Sequence, residues 1–227
     1  MVGCPGSGKG TLSARIERHF GVPIITAGDL LRSHIRQGTP LGHAASASIR
    51  AGRLMPDATM MELVGAKLHT MQHDDWILDG FPRTLGQAQL LSAELARTQC
   101  PLSLVVQLHV PESVILQRIL ERWTHVPSGR VYNLSFNPPR TPGLDDVTGE
   151  ALAQREDDNP TTFQRRLAGH HAQTEPMVEF FRTQTSPHGA PLVVDLAGRT
   201  SDEIWPQLQR VLIERGASLS TRTRCGP

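Results

Sequence analysis

Apolar positions in this chain follow two rhythms. LSARIERHFG places Leu12, Ile16 and Phe20 one helical turn apart and ends on Gly21, a natural helix stop. DATMMELVGAKLHTM does the same with Met61, Val64, Leu68 and Met71, and LLRSHIRQG and LGHAASASIRAG predict two shorter helices, each closed by glycine. Between these lie PIIT, WILD, SLVVQLHV and LVVDL, which are apolar almost throughout, as strands are when both faces are covered. Such strands alternating with amphipathic helices predict a parallel sheet flanked by helices, an α/β core.

The rhythm fails between Thr124 and Asp158. That stretch is rich in proline and glycine and has no helical period, and GRVYN followed by SF predicts a little β structure. A connection of this length inside a compact domain is expected to be a lid. After it, PTTFQRRLAGHHAQTEPMVEFFRT predicts one long helix perturbed near Pro176. TSDEIWPQLQRVLIERG predicts the last helix, with Thr200 and Glu203 spaced as a capping box. The polar tail SLSTRTRCGP is expected to be disordered.

The chemistry starts at GCPGSGKGT, where Gly3, Gly8 and Lys9 match the phosphate-loop pattern, with Gly10 and Thr11 following. Glycines let backbone N–H groups converge on an anion, the next helix points its positive end there, and Lys9 adds a mobile charge. Thr11 and an acidic residue at the end of a neighbouring strand are expected to hold Mg²⁺ or its waters. Asp79 in WILDG fits that place, with a turn-capping role as the alternative.

Composition sharpens this picture at one point. The net charge of +1 offers no bulk attraction to nucleic acid or an acidic membrane, yet 21 of the 23 basic residues are arginine. Arginine holds phosphate oxygens in a bidentate fork, and Arg32, Arg83, Arg118, Arg122, Arg155 and Arg166 fall at element ends or beside the lid. Arg118 and Arg122, read as i, i+4 on one helix face, repel unless an anion lies between them. The pattern favours phosphoryl transfer between two phosphorylated molecules. Three widely spaced cysteines argue against a disulfide framework, and no apolar run reaches the ~20 residues of a membrane span.

GCPGSGKGT, ITAGDLLR, LDGFPRT with Gln87, RILERW, PSGRVYN, FNPP, DDVTGE, QREDD and RRL together resemble the adenylate kinases of the long-lid type. Within that family the lid stretch and EIWP are most similar to the branch that uses GTP as donor in the mitochondrial matrix. The resemblance implies a three-layer α/β fold of the P-loop NTPase type. Residues 1–26, 56–120 and 159–227 would form the core, 27–55 a helical AMP-binding segment and 121–158 the lid.

The resemblance also implies roles. Gly6, Ser7, Gly8, Lys9, Gly10 and Thr11 would hold the triphosphate, with Arg118, Tyr132, Asn133 and Arg199 around its base and ribose. Arg32 and Arg83 would clamp the AMP phosphate, with Thr26, Ala27, Arg53, Met55, Gly80 and Gln87 nearby. Arg122, Arg155 and Arg166, with Lys9 and Asp79, would serve the transfer itself. Gln87 also reads as the partner of Thr84 in a capping box. Ala27 stands where the family commonly has a hydroxyl, so one side-chain contact to AMP is missing.

His125, Ser128, Asp145 and Thr148 occupy positions where other members carry zinc-binding cysteines; with no thiolate among them, a hydrogen-bonded polar cluster is expected rather than zinc. Implied partners are small-molecule nucleotides, GTP or ATP and AMP, with no nucleic acid and no membrane, on a monomer. Against this stands the opening, where only Met1 and Val2 precede the loop. A first strand so shortened is expected to cost stability, and a nucleotide-binding or scaffolding protein with little turnover is the alternative.

Overall fold

The computed structural model describes residues 1–51, 53–71 and 75–219, with side chains as far as Arg215. The four apolar runs form strands and the phosphate loop follows a fifth. β1 (Val2–Gly3), β4 (Val105–His109) and β7 (Val193–Ala197) form a parallel set in the order β1-β4-β7, with Val2 opposite Gln107 and Val105 opposite Val193. β2 (Ile24–Thr26) and β3 (Ile77–Asp79) pair in parallel from Ile24–Ile77 to Thr26–Asp79. The Met1 nitrogen donates to the Leu78 carbonyl (2.6 Å), tying this pair to the larger set.

Parallel neighbours need crossovers, and helices supply them. α1 (Lys9–Phe20), α5 (Leu85–Arg97), α8 (Glu175–Arg182) and α9 (Ser201–Leu219) cover the sheet. Successive strand residues face opposite ways. Val106, Leu108 and Leu196 therefore meet Leu12, Ile16, Ile204 and Leu208 on one side, while Val105 and Val193 meet Ala88, Met177 and Phe181 on the other. Helix, sheet and helix make three layers.

A third cluster joins β2 and β3 to α2 (Ala27–Arg36), α3 (Pro40–Arg50), α4 (Asp57–His69) and α5, with Ile25, Leu31, Ala45, Val64, Leu78, Phe81 and Leu91 buried at its centre. On α4 it is Met60, rather than Met61, that sits deepest with Val64 and Leu68. The lid stretch contains β5 (Arg122–Thr124) and β6 (Val131–Asn133), antiparallel with Trp123 opposite Tyr132, and no helix among its residues.

Two expectations are corrected. α6 (Glu112–Leu120) stops before Arg122, which begins β5, so Arg118 and Arg122 do not share a helix face and their presumed repulsion does not arise. The long helix is α7 (Pro160–Gly169), then a π turn over His170–Thr174, then α8. Pro176 has no N–H to donate backwards, and the wider turn lies just upstream of it. Most of the polar tail lies outside the described residues. No helix among the described residues is long and apolar enough to cross a membrane.

α2 and α3 meet at Gly42, where an added Cβ would stand 2.2 Å from the His34 carbonyl oxygen and 2.5 Å from its carbon. Thr39, whose hydroxyl accepts from the Gly42 N–H (3.0 Å), pins the same crossing. Gly42→Ala must push backbone apart and is expected to cost about 1–3 kcal/mol. A thermal melt should fall by several degrees; an unchanged midpoint would show that the crossing yields freely.

Candidate active site

The phosphate loop sits between β1 and α1, and its backbone explains its glycines. Gly6 has φ 83°, and a Cβ there would press within 3 Å of Ile115 and Ile119. Gly8 caps α1 in the left-handed conformation (φ 88°) with no side-chain capping bond, a Cβ there would stand 2.9 Å from the Ser201 hydroxyl, and the first turn carries no acidic residue. The first N–H groups of α1 have no intrahelical acceptor and open onto the loop with the positive end of the helix. The Ser7 hydroxyl is buried beneath the loop without a hydrogen-bond partner. Lys9 lies folded back, donating to the carbonyls of Gly3 (2.8 Å) and Cys4 (2.9 Å). Gly10 and Thr11 are exposed at the start of the helix. Asp79, buried at the end of β3, reaches over that turn: a Cβ on Gly10 would lie 3.7 Å from its Oδ2.

Around this loop the chain gathers arginines. Arg83 follows Gly80 in the turn after β3, its Nε donating to the Gly80 carbonyl (2.7 Å). Gln87, buried at the start of α5, accepts from the Arg83 N–H (2.8 Å), and its own N–H donates to Thr84 (3.1 Å). The capping reading of Thr84 and Gln87 holds, with the amide reaching one residue past the cap. Arg122 pairs through two nitrogens with Asp158, and Arg166 pairs with Asp157; both carboxylates are buried. Arg155 lies among them with its Nε buried and unpartnered.

Lys9 feels the charges of Asp79, Arg83 and Arg122; Arg83 those of Arg166, Asp79 and Arg32; Arg155 those of Arg122 and Arg32. Setting Arg32 aside with its own partner, five cations (Lys9, Arg83, Arg122, Arg155, Arg166) face three carboxylates (Asp79, Asp157, Asp158). Burial lowers Arg155 to about 10, with Arg122 and Arg32 adding to it.

Other predicted residues lie farther out. Arg32 is bound to Asp29 on α2 (2.5 Å) and flanks Gly28. Thr26 and the buried Ala27 stand at the β2–α2 junction, Met55 is buried before α4, and Arg53 is exposed. Arg118 lies 4.8 Å from the Phe136 ring and donates to the Arg199 carbonyl (2.7 Å); the Arg199 N–H donates to Glu203 (2.8 Å) at the start of α9. Tyr132 and Asn133 make their hydrogen bonds in and beside the lid. The Tyr132 hydroxyl donates to Asp145 (2.8 Å) and accepts from the Asp146 N–H (2.9 Å), while Asn133 accepts from the N–H groups of Ser135 and Phe136 (3.1 Å each) and donates to the Arg118 carbonyl (2.9 Å).

The four lid positions form a hydrogen-bonded cluster. His125 meets Ser128 (2.7 Å), and the Thr148 hydroxyl and N–H donate to Asp145 (2.9 Å each). Arg130 binds Asp145 through two nitrogens and holds that carboxyl well below the usual carboxylate range. Glu150, at 2.6 Å from His125, completes the group.

The family described as "Adenylate kinase" matches residues 1–186. The mitochondrial GTP:AMP phosphotransferase of Saccharomyces cerevisiae is 40% identical over 220 residues, covering 95% of this chain and 92% of the relative. That of Drosophila melanogaster is 41% identical over 215 residues, covering 95% and 94%. The chain belongs to the adenylate kinase family.

Asp157 and Asp158, which partner the arginines of this adenylate kinase, carried no assigned role in the sequence reading. The signal was present in QREDD, where three carboxylates, Glu156, Asp157 and Asp158, follow Arg155. Phe136 and Glu150 were missed because their use depends on how a loop folds. Lys9 supplies a measurable consequence. Burial, with Arg83 and Arg122 adding to it and Asp79 opposing, lowers its ammonium to about 8 from 10.5. Because the folded-state value lies below the unfolded one, the free protein gains stability as pH rises from about 8 toward 10.5. A triphosphate beside the ammonium raises its pKa, so nucleotide binding at pH 8 should take up as much as about half a proton, and less at pH 7. Calorimetry in buffers of different ionisation enthalpy measures this; uptake should vanish in Lys9→Met, and none in the wild type would refute the shift.

Proposed function

We propose that this adenylate kinase family member transfers the terminal phosphoryl of a nucleoside triphosphate, GTP by preference, to AMP, giving GDP and ADP. The observation that carries the reading is the excess of cations over carboxylates around an open phosphate loop, a place that only a polyanion neutralises. Gly6, Ser7, Gly8, Lys9, Gly10 and Thr11 hold the triphosphate, and Arg118 with Phe136 flanks its base beside Arg199. Arg83 and Arg32 take the AMP phosphate next to Gly80 and Gln87. An AMP phosphate oxygen attacks the terminal phosphorus in line, the bond to the bridging oxygen breaks, and Arg122, Arg155 and Arg166 neutralise charge spread over the moving group.

Thr11 and Asp79 are oxygen donors on adjoining elements, fit to hold Mg²⁺ or its waters. When bound, the ion neutralises and orients the donor phosphates.

Water must be kept out, since the same groups would hydrolyse the triphosphate. The segment 27–55 and the lid 121–158 close over the nucleotides, and Arg50 of α3 approaches Glu156 at the lid's end (4.0 Å). GTP as donor, a mitochondrial location and a monomeric state follow the named relatives and the family pattern. The alternative of a binding protein without turnover has less support, because its premise concerned the first strand alone, and Val2–Gly3 pairs with β4 in register.

AMP consumption with Mg²⁺ and GTP should exceed that with ATP and should fall by more than about a hundredfold in Lys9→Ala. Nucleotide binding without any turnover would support the alternative.

A further inference from the structure

α7 ends at Gly169, and His170–Thr174 wind as a π turn before α8 begins. Such turns inside helices are frequent at functional positions. This one is fixed at both ends to the arginines of the cleft. Arg166 stands four residues before His170, one turn back on the same face, and is paired with Asp157. At the other end the Thr174 hydroxyl donates to the Arg83 carbonyl (3.0 Å).

His170, the first residue of this turn, is half-buried, and its ring nitrogens hydrogen-bond to no described residue; the neighbouring His171 ring meets it edge-on at 5.8 Å. Its ring feels the charges of Lys9 on α1, of Arg83 in the turn after β3, and of His171 and Glu175 on its own stretch of helix. Burial, with Lys9, His171 and Arg83, outweighs Glu175 and lowers the imidazole to about 4. At neutral pH the ring therefore keeps one N–H and one lone pair. Another guanidinium here would add to a charge already in excess. A neutral imidazole adds a donor and no charge.

We propose that His170 donates its ring N–H to a phosphate oxygen of AMP, as a further binding residue that fixes the acceptor phosphate between Arg83 and Arg166. The inference rests on the AMP site proposed above and extends it to a group outside the loop and the arginine set. It assigns a purpose to the π turn, which begins at His170.

The test is calorimetric titration of the full chain with AMP and, separately, with GTP, for the wild type, His170→Phe and His170→Gln. Phe keeps a flat ring without a donor; Gln keeps a neutral N–H. His170→Phe should weaken AMP by about tenfold or more, while GTP affinity stays within about twofold. Its midpoint should stay within about 2 °C of the wild type, and His170→Gln should recover AMP affinity to within about threefold. In turnover, the Phe variant should raise KM for AMP more than it lowers kcat. Equal AMP affinity in Phe and wild type overturns the proposal, as does equal weakening in Phe and Gln, or a joint loss of AMP, GTP and melting temperature. A wild type that binds AMP without turnover sinks the proposed reaction and leaves this inference to the affinities; one that binds no AMP sinks both.

Discussion

Excess positive charge held inside a folded chain is the constraint on which the rest of this structure depends. Lys9 and Arg155 are each pushed toward their neutral forms by burial, and the Arg155 Nε is left without a partner. Left to itself such a cluster would pull the cleft apart. Asp157 and Asp158 restrain it by binding Arg166 and Arg122, and Asp79 opposes it from β3. The restraint is incomplete. What remains is an affinity for phosphate built in advance, so that little reorganisation is needed when charge moves between nucleotides.

The fold places these charges past the C-terminal ends of the parallel strands. β1 delivers the phosphate loop, β3 delivers Asp79 and the turn to Arg83, and α6 and β5 deliver Arg118 and Arg122. Helices on both faces bury the apolar strand residues and keep the strands in register, which holds side chains from distant parts of the sequence within reach of one another. The lid uses a different economy: Asp145 gathers Arg130, Tyr132 and Thr148, so a segment with few buried apolar side chains keeps its shape through polar bonds.

Much of this was legible in the sequence, for identifiable reasons. Continuous apolar strands and helical periodicity survive any tertiary detail, so the α/β layers followed from Ile24–Ile25, Val105–Val106 and Val193–Val194. The phosphate loop was legible because its glycines serve backbone geometry that few other sequences need. Arg118 and Arg122 were misplaced together because periodicity does not mark where α6 yields to β5. The π turn was foreshadowed by Pro176 but displaced from it, and His170 carried no signal at all. Its significance arises from Lys9 and Arg83, remote in sequence, and only the folded chain brings them near.

The most direct test of the account is to replace Arg155 by methionine and follow both stability and turnover. If the guanidinium is held at a cost for the sake of the phosphoryl group, the free Arg155→Met protein melts at the same temperature as the wild type or higher. The gain on saturation with AMP and a non-transferable GTP analogue shrinks, and AMP phosphorylation falls by more than about a hundredfold. A free protein that melts lower while turnover is kept would contradict the account, because Arg155 would then be a structural ion rather than part of the phosphate socket.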